Sequence, residues 1–192
     1  MGKHADEPSV RQHALTLLIE RHQSALHSFL YTFTGNAEHA RDLVQDTFCA
    51  AWNAMQRDMV PFDGVVASED NVRGWLFRVA YRKAVSQWRR QRLIQWAPFD
   101  EVMTKHLMVG ETGLPFDERV AEQELLRLAL SRLDPQDVAC LLLRIVQGFS
   151  TAEVSQIVDA SMDAVTKRLS RAKQRLRAAY LAQSQFEERT RS

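Results

Sequence analysis

The sequence predicts an all-α protein: two small helical domains joined by a flexible, acidic linker. Three observations lead there. Apolar residues recur at three- and four-residue steps through long stretches, the spacing of a buried helix face. Only seven glycines and five prolines interrupt the 192 residues, which disfavours a strand-rich fold. Between two such periodic blocks, residues 97–118 hold prolines and glycines and keep no period. The domains are therefore drawn as residues 1–96, a linker at 97–118, and residues 119–192.

The elements follow in chain order. From Ser9 to Phe33 the positions Leu15, Leu18, Ile19, Leu26, Phe29, Leu30 and Phe33 describe one helix face. Gly35 is a natural stop, and Asn36 a natural cap for the next helix. In that helix Ala40, Leu43, Val44, Thr47, Phe48, Ala51, Trp52 and Met55 form a wide stripe that has to be buried. Asp42, Gln45 and Asp46 lie on the opposite face. Residues 57–72, with Pro61, Gly64 and four acids, read as a loop. A third long helix is expected from about Val72 to about Trp96. The linker holds at most one short helix, around Met103–Met108.

The second block opens with Val120, Leu125, Leu128, Ala129 and Leu133 on one helix. In "LDPQD", Asp134 caps a helix, Pro135 takes its first position and Asp137 favours its positive end. This apolar helix runs to Gly148. "STAE", from Ser150 to Glu153, is a capping box and starts a short helix ending at Val158. After Asp159 and Ala160, Ser161 caps a long basic helix, and the last dozen polar residues are expected to fray.

The formal net charge of +1 hides strong patterning. Residues 73–96 carry a net +7 without a single acid, residues 97–124 a net −5, and residues 161–192 a net +5. Two basic blocks parted by an acidic one offer two seats for a polyanion. Cys49 and Cys140 each sit in an apolar helical pattern and read as buried thiols. The six histidines show no ligand spacing, so neither a metal nor another cofactor is expected. No apolar run reaches the ~18 residues of a membrane span, and the start "MGKHADEP" lacks a secretion signal's apolar core. A cytoplasmic protein without membrane contact of its own is the expectation.

A short capped helix, a tight turn and a long basic helix behind an apolar support make a helix-turn-helix. Its second helix would enter the major groove. Asp163, Thr166, Lys167 and Arg171 are placed to read bases, whereas Arg168, Lys173 and Arg175 are placed to hold phosphates. A solvated basic face is the plainer explanation of a lone basic helix, but the capped helix and turn before it favour DNA.

Residues 74–96 hold Trp75, Trp88 and Trp96, three of the four tryptophans. Arg78, Arg82, Lys83, Arg89 and Arg90 are interleaved with them. Phe77 and Tyr81 serve a core as readily as a DNA contact. Trp88 sits among arginines, where unstacked bases find a flat face and cations at once; such stacking is worth roughly 1–3 kcal/mol per base. For Asp42, Gln45 and Asp46 the alternatives are solubility or an interface with a basic partner surface.

Three stretches in order resemble the extracytoplasmic-function sigma factors. "ARDLVQDTFCAAW" is similar to that family's "AeDlvQevFlraw", and "GWLFRVAYRKAVSQWRR" to its "WLyrIArN…D..Rr". The stretch from Leu133 to Arg177 resembles its "Lp…r.vl.L…egfs..EIA..lgis..TVksrl.RAr..Lr". The resemblance spans about residues 12–94 and 120–180. It implies two helical domains, regions two and four, on a linker, and a protein that is not an enzyme but a promoter-specificity subunit of core RNA polymerase. Asp42, Gln45 and Asp46 would then meet the clamp helices of the largest subunit, with the flap as a further polymerase contact. The 57–72 loop and the 73–92 helix would take the −10 element as a single strand, through Arg78, Arg82, Lys83, Trp88, Arg89 and Arg90. The helix-turn-helix would take the −35 element as duplex. Many members are held inactive by an anti-sigma factor, so one is expected here. The chain departs from the pattern at Arg82 and Ser86, usually Asn and Asp, at Asp159, usually Gly, and across Ala164–Arg168.

A free-standing helix-turn-helix regulator with a sensing or dimerising N-terminal domain is the alternative. The basic, tryptophan-rich helix argues against it. An enzyme acting on nucleic acid would need clustered metal-binding carboxylates or a nucleophile beside a base, and the sequence offers neither pattern.

Overall fold

The computed structural model of the chain describes residues 7–57, 69–91, 129–130 and 133–191, with side chains for all of these but 7–9, 69, 88–91, 179–180 and 183–191. Every element among the described residues is helical. The long helix α1 spans Glu7–Thr34. It stops at Gly35, whose φ of 66° suits a residue without Cβ and whose amide donates to the Tyr31 carbonyl at 2.7 Å. Asn36 caps α2, Ala37–Gln56, its side chain accepting from the Glu38 and His39 amides. The expected stripe faces inward: Ala40, Leu43, Thr47, Phe48, Ala51 and Met55 are buried, with Val44 and Trp52 half-buried.

Helix α3 spans Glu69–Gln91, so the last four positions of the expected 57–72 loop are helical. The physical reason is electrostatic: Glu69 and Asp70 occupy the first turn, where negative charge suits the positive helix end. Residues 58–68 of that loop, the linker with the short helix expected there, and most of the helix expected from residue 119 lie outside the described residues.

In the second block α4 spans Pro135–Leu141, capped by Asp134 with proline at its start, as the sequence reads. It widens into a π turn over Leu142–Val146, which the sequence did not signal. The amide of Gln147 donates five residues back, to Leu142, at 2.9 Å. The next helix, α5, spans Thr151–Val158, and both halves of the Ser150–Glu153 capping box are present. Helix α6 runs over Met162–Arg191. Helix α6 includes residues 181–191 of the stretch expected to fray; Ala, Leu, Gln, Glu and Arg there are good helix formers.

One continuous core joins the blocks. Leu26, Phe29, Leu30 and Phe33 of α1 pack with Leu76, Phe77 and Ala80 of α3, and the cluster extends to Phe149, Val154 and Ile157. The ring of Phe77 bridges the halves, 5.5 Å from Phe29 and 5.1 Å from Phe149 between centroids. Tyr81 lies edge-on to Phe33 at 6.3 Å. Phe77 and Tyr81 are therefore core residues, which resolves the choice left open above. Cys140 is fully buried, and burial pushes its thiol up to about 11. Cys49 is exposed, contrary to expectation. It stands four residues after Gln45 and three after Asp46, and so shares their polar face.

Candidate nucleic-acid interface

The helix-turn-helix is built locally. Ser150 Oγ accepts from the Glu153 amide at 3.2 Å, and Glu153 Oε2 accepts from the Ser150 amide at 2.7 Å. The serine hydrogen bonds hold the Glu153 carboxyl below the usual carboxylate range. Val154, Ile157 and Val158 turn α5 inward. Asp159 then takes a left-handed conformation, φ 56°, and reverses the chain. Ser161 Oγ accepts from the Ala164 amide at 3.2 Å and opens α6. Val165, Leu169 and Ala172 anchor α6 to the core, which leaves its other side to solvent.

That outer side carries the predicted DNA residues. Asp163, Thr166, Lys167, Arg171, Lys173 and Arg175 are exposed, and Arg168 is half-buried. Lys167 pairs with Asp163 at 2.8 Å, and the Thr166 hydroxyl donates back to the Met162 carbonyl at 2.8 Å. Arg171 and Arg175 also have an inward partner. Each places a guanidinium nitrogen 3.8 Å from the carboxylate of Asp137, whose side chain is only 4% exposed. Sequence reasoning assigned Asp137 to a helix start and missed this second role. An acid flanked by the buried run from Val138 to Leu143 was the available signal.

The other predicted face lies on α3. Arg78 and Arg82 reach across to Asp159, at 3.8 Å and 3.2 Å. Lys83 pairs with Asp46 of α2 at 3.2 Å, so a residue assigned to DNA meets one assigned to polymerase. Asp42, Gln45 and Asp46 form one exposed patch. Trp88, Arg89 and Arg90 fall on the last turns of α3, and their side chains lie outside the described set. Arg73, not singled out beforehand, stacks over Phe149 at 4.1 Å and donates to the Gln147 carbonyl.

Comparison with known proteins decides what carries these faces. Residues 18–94 match Sigma-70 region 2, and residues 123–176 match Sigma-70, region 4. The RNA polymerase sigma factor CnrH of Cupriavidus metallidurans is 31% identical over 189 residues, covering 94% of each chain. The chain belongs to the extracytoplasmic-function sigma factors. As a sigma factor it is not an enzyme. The structure of CnrH in complex with the cytosolic domain of CnrY superposes on this sigma factor with a TM-score of 0.62, at 26% identity, covering 93% of this chain and 94% of that one. The sigma factor RpoE of Bartonella quintana, crystallised with the anti-sigma factor NepR, shares the fold with the same TM-score at 20% identity, covering 85% and 94%. No described helix of this sigma factor is long and apolar enough to cross a membrane.

Proposed function

We propose that this sigma factor works as a two-handed promoter reader, with residues 1–96 binding core polymerase and the −10 element and residues 119–192 binding the −35 element, across a 97–118 linker. The helix-turn-helix supports this most directly: a doubly capped α5, a left-handed turn, and an α6 whose solvent side is basic. The −35 duplex lies along that side. Asp163, Thr166, Lys167 and Arg171 face base edges, and Arg168, Lys173 and Arg175 hold phosphates. The exposed Asp42–Gln45–Asp46 patch meets the clamp helices of the largest polymerase subunit, and the C-terminal unit meets the flap. Arg78, Arg82, Lys83, Trp88, Arg89 and Arg90 take the −10 strand once it is unpaired. The protein acts in the cytoplasm, where polymerase is.

An anti-sigma factor completes the set of partners. CnrH, matched over 94% of its length, is seen bound to the cytosolic domain of CnrY, which supports a protein regulator here too. The test is reconstitution. Purified protein should bind core polymerase and then yield discrete run-off transcripts from fragmented genomic DNA. Core binding without any discrete transcript would refute the promoter-reading role; no core binding would favour a free-standing helix-turn-helix regulator.

A further inference from the structure

Arg82 and Asp159 stand far apart in sequence, and each departs from the pattern that the rest of its motif resembles. In the fold they are partners, 3.2 Å apart, and Arg78 joins them at 3.8 Å. Asp159 is also the described non-glycine residue with positive φ. Its left-handed geometry favours glycine, and Asp is among the few side chains that adopt it, so the turn can carry a carboxylate. Placed at the turn, it projects toward two cations of α3. A carboxylate between two guanidinium groups occupies the kind of site that a phosphate would take.

We propose that Asp159 is an internal stand-in for a DNA phosphate: it fills the anion site of Arg78 and Arg82, latches α3 against the helix-turn-helix, and must leave before −10 DNA can enter. This rests on the reading of α3 as the −10 helix. The latch adds to the buried Phe77–Phe149 contact, which also joins the two halves. It is built to release. The Asp159 side chain is 70% exposed and that of Arg82 55%, so water and salt reach both. The Nε of Arg78 is buried without a hydrogen-bond partner, so the closed state leaves one cation incompletely satisfied. A polyanion carrying several phosphates outcompetes one carboxylate once the halves part, whereas the free protein keeps the site covered.

The test uses the full chain with Asp159→Gly. Glycine adopts the left-handed turn without a Cβ penalty, so the helix-turn-helix keeps its geometry while the carboxylate is gone. Nitroxide labels on exposed Cys49 and on Gln174→Cys report the separation of the halves by pulsed electron resonance; buried Cys140 stays unlabelled. Asp159→Gly should raise the small population at longer distances about fivefold, and Asp159→Asn, which tolerates the left-handed turn but lacks the charge, should do the same. A fluorescein-labelled oligothymidine should bind Asp159→Gly about fivefold more tightly than the wild type, the scale of two exposed ion pairs. An unchanged distance distribution overturns the latch. Opening without any gain in oligothymidine affinity overturns the competition. If the opened chain binds oligothymidine equally well with Arg82→Ala, the −10 reading of α3 has failed, and the distance data still judge the latch by themselves.

Discussion

Asp137 is the residue whose removal says most about how α6 is held. Its carboxylate is nearly buried, and Arg171 and Arg175 approach it at 3.8 Å each from the exposed side. At about that separation two unit charges attract by ~1 kcal/mol in water and ~4 kcal/mol in a protein-like environment. Both arginine side chains are more than half exposed, 57% and 58%, so the lower figure applies. Two pairs then contribute about 2 kcal/mol, partly offset by the cost of dehydrating Asp137. Its place in the first turn of α4 adds about 0.5 kcal/mol through the helix dipole. Asp137→Asn keeps the volume and removes the charge, and should cost about 1–2 kcal/mol. For a chain of this size that lowers Tm by about 3–6 °C. Thermal denaturation followed by circular dichroism measures it. A double-mutant cycle with Arg171→Ala should give a coupling of about 0.5–1 kcal/mol. An unchanged Tm, or strict additivity in the cycle, would refute Asp137 as a tie that holds α6 through Arg171 and Arg175.

Three further outcomes follow from the same geometry. Glu153 is held below its ordinary pKa by Ser150, so its stabilisation of α5 is complete above the usual carboxylate range and is lost as pH falls through the depressed folded value; Glu153→Gln should flatten this acid limb in a series of melts. Asp42→Arg should weaken core polymerase binding without changing Tm, whereas Asp46→Arg should do both, because it sets a cation beside Lys83; equal melts for the two variants would contradict the Lys83 pair. Phe149→Ala should cost about 3–5 kcal/mol, because the ring is 1% exposed and wedged between Phe77 and Arg73; a loss below about 1 kcal/mol in urea denaturation would show that the halves do not depend on it.

Local chemistry carried most of the fold into the sequence. The stripe from Ala40 to Met55, the Asn36 and Asp134 caps, the Ser150–Glu153 box and the Ser161 start of α6 all depend on residues within four positions of one another. Periodicity and capping operate at that range, so composition and spacing revealed them, and with them the helix-turn-helix and the exposed Asp42–Gln45–Asp46 face. The first turn of α3 at Glu69 and the exposure of Cys49 were legible by the same rules, from the helix dipole and the four-residue step. Tertiary structure alone decided which faces meet. Phe77 against Phe149, Arg82 against Asp159, Lys83 against Asp46 and Asp137 against Arg171 join residues that no helical step connects. A side chain's charge and shape are written in the sequence, but its partner is whatever another helix brings within a few ångströms. Burying one face of each of the six helices in a shared core is what brings those faces together.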